Sequence, residues 1–181
     1  MLRTGAPCRD LPERFGPWST AWSRFRRWTA GGVWRRLLEA LRRGADCAGR
    51  LDPLALVLSG GERHESLYVG ALLHGGHVRR AGRGRPRVRP LQLVVDKGDS
   101  YPTVRRTLAR RGIRAVIPRR SDQRPGDRRY RPLERTAYRS GNRVECLVNR
   151  LKQSRRVATR YGKRAAHYLA MLTLAALRLW L

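Results

Sequence analysis

The excess of positive charge is the feature that most constrains what this chain can fold into and bind. Its 181 residues include 41 Lys or Arg against 13 Asp or Glu, which gives a formal net charge of +28. All but three of the basic residues are arginines, whose planar guanidinium group matches phosphate oxygens two at a time. Self-repulsion of this size opposes a compact state unless polyanions neutralise it. We therefore expect a nucleic-acid partner bound largely through phosphates, the alternative being a solvated basic surface from an arginine-biased genome.

The apolar content and the cysteines narrow the class of protein. A hydrophobic fraction of 41% is enough to form a core, and the three cysteines lie far apart without a CxxC pair. That spacing favours reduced thiols in a cytoplasm over a disulfide framework. The apolar run 168–181 is shorter than the roughly 20 residues that span a bilayer, so we expect a core-packing helix and no membrane contact.

Residues 1–50 are expected to form a helical DNA-binding unit. After Pro17, apolar and aromatic residues recur at helical spacing in two segments separated by Gly31-Gly32. This pattern predicts two short amphipathic helices joined by a glycine turn, as in a helix-turn-helix. The alternative is a helical hairpin with a solvated basic face. The arginines expected to contact DNA are Arg24, Arg26, Arg27, Arg35 and Arg36.

Strands and helices alternate in the next part of the chain. Residues 54–59 and 91–95 are apolar runs typical of buried strands, and the second run ends at Asp96. A helix over 101–111 and a strand over 114–117 follow, which predicts a parallel crossover. The other predicted helices cover residues 65–73 and, after residue 133, nearly all of the chain to its end.

Three groups of residues carry a family resemblance. Tyr138, Glu145 and Lys152 stand at the spacing of a signature that reads Tyr, two residues, Arg, three residues, Glu, six residues, Lys. The segment resembles that signature in DDE-type transposases of insertion-sequence family five, with Gly141 in the Arg position. Asp96-Lys97-Gly98 resembles the second-acid motif of that family. Residues 3–12 resemble its N-terminal DNA-binding region, and residues 155–166 resemble its closing segment.

The resemblance implies a ribonuclease-H-like catalytic domain that holds two Mg²⁺ ions, or Mn²⁺, between two aspartates and a glutamate. Asp96 would be the second acid and Glu145 the third, both catalytic and both metal ligands. Lys152 would contact phosphate, and Tyr138 would support a DNA strand on the same helix face. On the residues alone, Asp96 could instead cap a turn, Glu145 could be a surface acid, and Lys152 could be solvated.

The first catalytic aspartate of that family has no counterpart here. The resemblance places it on a strand ahead of residues 54–58, whereas the nearby acids Asp46 and Asp52 follow no apolar strand. We therefore expect an α/β (α+β) protein in which the helical unit 1–50 precedes an incomplete ribonuclease-H-like domain, 51–181, with a C-terminal helical segment.

The function expected from the resemblance is that of an insertion-sequence transposase in the bacterial cytoplasm, associated with the nucleoid. It would bind DNA at the terminal repeats of its element, with a second copy or a full-length transposase as protein partner. Without the first aspartate, metal occupancy is doubtful and strand cleavage and transfer are impaired. The alternatives are a non-catalytic DNA-binding inhibitor of transposition and a basic RNA-binding structural protein.

Overall fold

The fold is mixed and mostly helical. A computed structural model describes residues 1–42, 53–77, 83–123, 133–139 and 141–181. A small two-stranded sheet accompanies the helices, which agrees with the α+β class expected from the sequence. In chain order the main elements are α1 (Trp18–Ala30), α2 (Val33–Arg42), α3 (Val69–Gly75), β1 (Gln92–Val94), α4 (Pro102–Arg110), β2 (Arg114–Val116), α5 (Arg135–Arg139), α6 (Asn142–Lys152), α7 (Arg155–Ala158) and α8 (Ala165–Trp180). Short 3₁₀ helices cover Cys8–Asp10, Glu13–Phe15, Glu65–Tyr68 and Lys97–Asp99.

The described residues group into two compact units. Met1–Leu58 and Cys146–Leu181 form the first, here called the helical unit, and Ser59–Glu145 form the second, the sheet unit. The grouping differs from a single boundary at residue 50, because the C-terminal helices pack with the N-terminal ones. In the parts of the chain described, none of the helices combines the length and apolarity needed to cross a membrane.

In the helical unit, the core forms where α1 and α2 meet α8. Ala175 and Ala176 are buried on α8, and these small side chains let Leu38 of α2 approach closely. Phe25 of α1 packs against Met171 in a neighbouring cluster. The C-terminal run is thus a core-packing helix, as the sequence predicted.

The predicted pair of N-terminal helices is confirmed. Pro17 caps the start of α1, where its fixed φ suits the helix entrance. Between the helices, Gly32 adopts φ 65°, a left-handed conformation in which a residue with a Cβ is strained. The glycine turn therefore lets α2 fold back on α1.

The strand predicted over residues 54–59 is wrong. These residues have no regular secondary structure, and Leu54 and Leu56 pack against the core of the helical unit. An apolar run indicates burial, but it does not specify whether the buried chain finds a strand to pair with. Here the burial is against helices.

The strand-helix-strand prediction in the sheet unit is confirmed. β1 and β2 pair in parallel, with Leu93 opposite Ala115, and α4 connects them. Gly112 follows the C-cap of α4 with φ 63°, the left-handed conformation in which a glycine commonly ends a helix. The core of this unit consists of Val69, Leu73, Val104, Leu108, Ile113 and Ile117. The predicted helix at residues 65–73 is also present, beginning as a 3₁₀ turn and continuing as α3.

Candidate nucleic-acid interface and carboxylate cluster

The outer face of α1 carries a polar depression. It has a volume of about 260 Å³ and is lined by Ser19, Thr20, Ser23, Arg24 and Arg27. At about 100° per residue, these positions span about 140° of the helix circumference. The opposite face is the one that buries Phe25. Hydroxyl and guanidinium groups in one depression are donors that suit phosphate oxygens.

The five arginines predicted to contact DNA are all exposed, and two of them share this depression. Arg24 and Arg27 line it together. Arg35 instead pairs with Glu39, with 3.8 Å between Nε and Oε1. Arg36 donates a hydrogen bond of 2.8 Å to the Gly31 carbonyl oxygen. Arg24 and Arg27 are therefore the predicted arginines best placed to act together.

The N-terminal segment is held by α7. The backbone N–H groups of Arg155 and Arg156 donate to the carbonyls of Arg3 and Leu2 at 3.0 and 3.2 Å. Gly5 has φ 79°, and a Cβ there would lie 2.7 Å from the Tyr161 ring, so only glycine fits. The segment that resembles a DNA-binding region is thus positioned by residues about 150 positions away in the chain. No local sequence pattern predicted this contact.

His167 of α8 packs into the aromatic cluster beneath α1. Its ring meets those of Trp22 and Phe25 edge-on, at centroid distances of 5.3 and 5.7 Å. Burial lowers the pKa of His167, and the nearby Arg164 and Arg26 lower it further. The lowered pKa favours the neutral imidazole, which packs against the two rings.

In the sheet unit, Asp96 follows β1 as predicted, but its side chain caps a turn. Its Oδ1 accepts a hydrogen bond of 2.6 Å from the backbone N–H of Lys97, at the start of the 3₁₀ helix Lys97–Asp99. The carboxylate is exposed at the carboxyl end of the strand. The capping role weighed as an alternative is thus present, and it uses one of the oxygens that a metal would need.

A second acid that the sequence did not indicate lies three residues further on. His64 approaches Asp99 with 3.8 Å between Nδ1 and Oδ1, and its Nε2 lies 2.8 Å from the Tyr101 hydroxyl. Burial raises the pKa of Asp99; Glu65 and Asp96 raise it further, while His64 lowers it. Burial, and after it the neighbouring carboxylates, thus favour the protonated form of Asp99.

A buried arginine fixes the loops at this edge of the sheet. Arg105 of α4 donates hydrogen bonds of 2.9 Å to the Ser100 hydroxyl and to the Ile117 carbonyl. The Ser100 hydroxyl donates to Gln123 at 3.1 Å. Arg105 thereby joins the loop after β1 to the loop after β2. Sequence reasoning missed it, because an arginine in a basic helix looks solvent-exposed.

Gly141, in the turn before α6, lies close to β1. A Cβ built on Gly141 would be 3.2 Å from Val94 Cγ1, and Val94 precedes Asp96 by two residues. The exposed Glu145 lies four residues beyond Gly141, about 6 Å along the helix axis.

The predicted arrangement of Tyr138, Glu145 and Lys152 on one helix face is only partly right. Glu145 and Lys152 both lie on α6, two helical turns apart. Tyr138 lies on α5, which ends at Arg139 before α6 begins at Asn142. The predicted placement of Tyr138 on the helix face of Glu145 is wrong because the chain turns at Gly141 and the helix does not continue through it. The predicted contact of Tyr138 with a DNA strand stays a prediction.

The described carboxylates do not make a complete site for paired Mg²⁺ ions. Within the described ranges, no three His, Cys, Asp or Glu side chains are arranged to hold a metal ion. Asp46 and Asp52, the acids nearest to the expected first ligand, lie outside the described residues. Two carboxylates, Asp96 and Glu145, therefore remain without a described third ligand.

Comparisons with known proteins match one family model and two relatives over parts of the chain. Residues 1–38 match a family model described as a putative transposase of the IS4/5 family. Over 54 residues the chain is 44% identical to the "Insertion element IS402 uncharacterized 16.2 kDa protein" of Burkholderia cepacia, covering 29% of this chain and 37% of that protein. It is 36% identical over 85 residues to the uncharacterized protein y4sN of Sinorhizobium fredii, covering 47% of this chain and 58% of that protein.

The match therefore spans less than two thirds of either relative. No solved structure matches the chain. The matched segment of the family model contains all of α1 and most of α2, including the polar depression. Over residues 1–38 this chain is thus similar to a family described as putative IS4/5 transposases, and one of its relatives is a protein of an insertion element.

Proposed function

We propose that this chain binds DNA at the ends of an insertion element and takes part in its transposition. The observation that carries the proposal is the coincidence of the transposase-family match with the polar depression of α1. Because the match covers residues 1–38, it bears on what this segment, with α1, can bind. An exposed helix face with two arginines and three hydroxyl side chains is suited to DNA phosphates.

The proposed binding is electrostatic in its main part. Arg24 and Arg27 would each offer a planar fork to phosphate, and Ser19, Thr20 and Ser23 would donate hydroxyl hydrogen bonds. The net charge of +28 attracts DNA from a distance and makes the affinity strongly dependent on salt. These contacts set orientation and affinity, whereas base-edge contacts would be needed to select the terminal repeats.

We further propose that the sheet unit is the remnant of a ribonuclease-H-like nuclease with impaired strand cleavage. The resemblance names Asp96, which follows β1, as the second acid and Glu145, which lies on α6, as the third. Mg²⁺, when bound by a complete triad, would activate the attacking oxygen and stabilise the leaving one. Among the described residues, Asp96 and Glu145 are the acids that the resemblance assigns to this site, and the Asp96 carboxylate is engaged as a cap.

A second candidate function follows from the same observations. A chain that binds element ends without cutting them would block access for a full-length transposase and so inhibit transposition. This candidate is considered because the sequence has no apolar strand carrying an aspartate where the resemblance expects the first catalytic acid. An RNA-binding structural role is less well supported, because the family match is to a transposase.

Fluorescence anisotropy with short labelled duplexes tests the DNA-binding proposal. The element-end duplex, an unrelated duplex and a structured RNA are titrated at several salt concentrations. The double variant Arg24→Ala/Arg27→Ala removes two phosphate contacts and should lower the salt slope by about 1.8. Arg178→Ala, an exposed arginine on α8, is the matched control and should leave the slope unchanged.

Binding that ignores the Arg24/Arg27 change, or that prefers structured RNA, would contradict the proposal. The cleavage part is tested separately by a plasmid excision assay with Mg²⁺ or Mn²⁺. We expect no excision by this chain alone, and reduced excision when it is added to a full-length transposase. Metal-dependent excision that Asp96→Asn abolishes would show that the nuclease is intact.

A further inference from the structure

Two aromatic side chains at the start of α1 are exposed, although the core of the helical unit lies close by in sequence. Phe15 is 63% exposed and Trp18 is 42% exposed. Single exposed apolar residues are ordinary on protein surfaces. These two differ because a guanidinium group accompanies each ring. The Cζ of Arg14 is 4.9 Å from the Phe15 ring centre, and that of Arg9 is 5.7 Å from the Trp18 ring centre.

The backbone between the two rings is fixed. Gly16 has φ 82°, and its N–H donates to the Glu13 carbonyl at 2.8 Å, which closes the 3₁₀ helix before it. Pro17 then sets the entrance to α1 with φ −60°. Because the chain on both sides is constrained, the rings can engage a ligand at a small cost in conformational entropy.

The chemistry of the pair fits nucleobases. Exposed aromatic rings stack on the flat faces of bases, and arginine adds cation–π attraction and a contact for phosphate. The polar depression of α1 begins at Ser19, the residue directly after Trp18. A base-stacking surface therefore adjoins a surface suited to phosphates, which is the combination that single-stranded nucleic acid requires.

We infer that Phe15 and Trp18 form a stacking platform for unpaired bases of single-stranded DNA, whose phosphates lie along the α1 depression. Bases inside a duplex have both faces covered by their neighbours, so the platform requires unpaired or terminal nucleotides. DNA is chosen over RNA because the inference rests on the proposed function. The platform adds to that function a preference for opened or single-stranded element ends.

Binding of a labelled oligo(dT) and of a duplex of equal length separates the platform from duplex binding. The double variant Phe15→Leu/Trp18→Leu keeps apolar bulk but removes both aromatic faces. We expect it to weaken oligo(dT) binding about tenfold to a hundredfold, from the usual effect of losing a base stack, and to change duplex binding little. The single variant Trp18→Phe keeps an aromatic ring at both positions, so it should bind oligo(dT) with most of the wild-type affinity. Stacking should also quench the tryptophan fluorescence of the wild-type protein.

Trp28→Leu is the matched control, since Trp28 is a tryptophan of the same helix with 38% exposure. It should leave oligo(dT) affinity unchanged, and urea unfolding curves show that every variant is folded. The platform is overturned if the leucine double variant binds oligo(dT) like the wild type or loses duplex affinity by the same factor. Tighter binding of oligo(U) through the same rings would overturn DNA as the occupant.

The two proposals fail in different ways. If the wild type ignores element-end duplexes but binds oligo(dT) through Phe15 and Trp18, the proposed function fails and the platform stands. If it binds those duplexes through Arg24 and Arg27 and no experiment detects a role for the rings, the platform fails alone.

Discussion

Replacing Leu38 with alanine asks whether the C-terminal helix α8 is a structural part of the N-terminal unit. Leu38 lies on α2 with 3% of its surface exposed, in one cluster with Ala176 and Trp180 of α8. Its neighbour Leu37 is 46% exposed. Leu37→Ala removes the same atoms from the same helix and is therefore a matched control.

The expected loss follows from the burial of Leu38. Removing the equivalent of about three carbons costs about 2.4 kcal/mol of transfer free energy at ~0.8 kcal/mol per CH₂. The cavity left between α2 and α8 adds to this, so the total is about 3 to 5 kcal/mol. Small domains have about 5 to 15 kcal/mol of stability, so the variant should lose a large part of it. Leu37→Ala should change stability by about 0.5 kcal/mol or less.

Urea unfolding followed by tryptophan fluorescence measures this effect selectively. All five tryptophans, Trp18, Trp22, Trp28, Trp34 and Trp180, belong to the helical unit, so the signal reports that unit alone. With a slope of about 2 kcal/mol per molar urea, the Leu38→Ala midpoint should fall by about 1.5 to 2.5 M. Equal shifts for the Leu37 and Leu38 variants would refute the reasoning, since the packing of α2 on α8 would then contribute nothing specific.

Three further predictions concern single side chains. Arg105→Ala removes buried hydrogen bonds of a charged group, so it should lower the free energy of unfolding of the sheet unit by about 2 to 3 kcal/mol and lower its thermal midpoint. Arg106→Ala, at an exposed position of the same helix, is the control and should leave the midpoint unchanged. Asp96→Asn keeps an oxygen to accept from the Lys97 N–H, so it should retain the stability that Asp96→Ala loses, about 1 kcal/mol in denaturant unfolding; a loss with both variants would show that the charge matters. Because folding lowers the pKa of His167, the unfolded chain binds a proton more readily than the folded one. Neutral His167 therefore contributes fully to the free energy of unfolding above pH 6.5, and this contribution is lost as the pH falls through the lowered pKa. The thermal midpoint of His167→Gln should therefore fall less between pH 7 and pH 5 than that of the wild type.

Part of the candidate interface could be predicted from the sequence. Arginines interleaved with apolar residues at helical spacing identified Arg24 and Arg27, because side chains opposite the core of an amphipathic helix face solvent. The exposure of Phe15 and Trp18 could not be predicted from the sequence. An aromatic residue near a helix start reads as core, and only the packing of α1 on α8 shows which rings remain outside.

The acidic residues after β1, Asp96 and Asp99, were also predicted only in part from the sequence. The sequence placed Asp96 at the end of a strand, and the structure agrees. It did not indicate Asp99, His64 or Arg105, because their interactions join segments that are far apart in the chain. Charge on a side chain predicts exposure on average, whereas Arg105 is buried since backbone carbonyls and a hydroxyl surround its guanidinium group.

The amino-acid sequence by itself determined the local elements: the two N-terminal helices, the glycine turn between them, and the strand-helix-strand crossover from β1 to β2. Hydrophobic periodicity, proline and glycine act on the backbone within a few residues, so these elements can be predicted from the sequence. Tertiary structure alone decided that α8 completes the N-terminal core, that α7 holds residues 2–6, and that the apolar residues 54–58 pack on helices. Periodicity states that a face is buried, but the choice of its partner depends on shape complementarity between segments that the chain brings together only on folding.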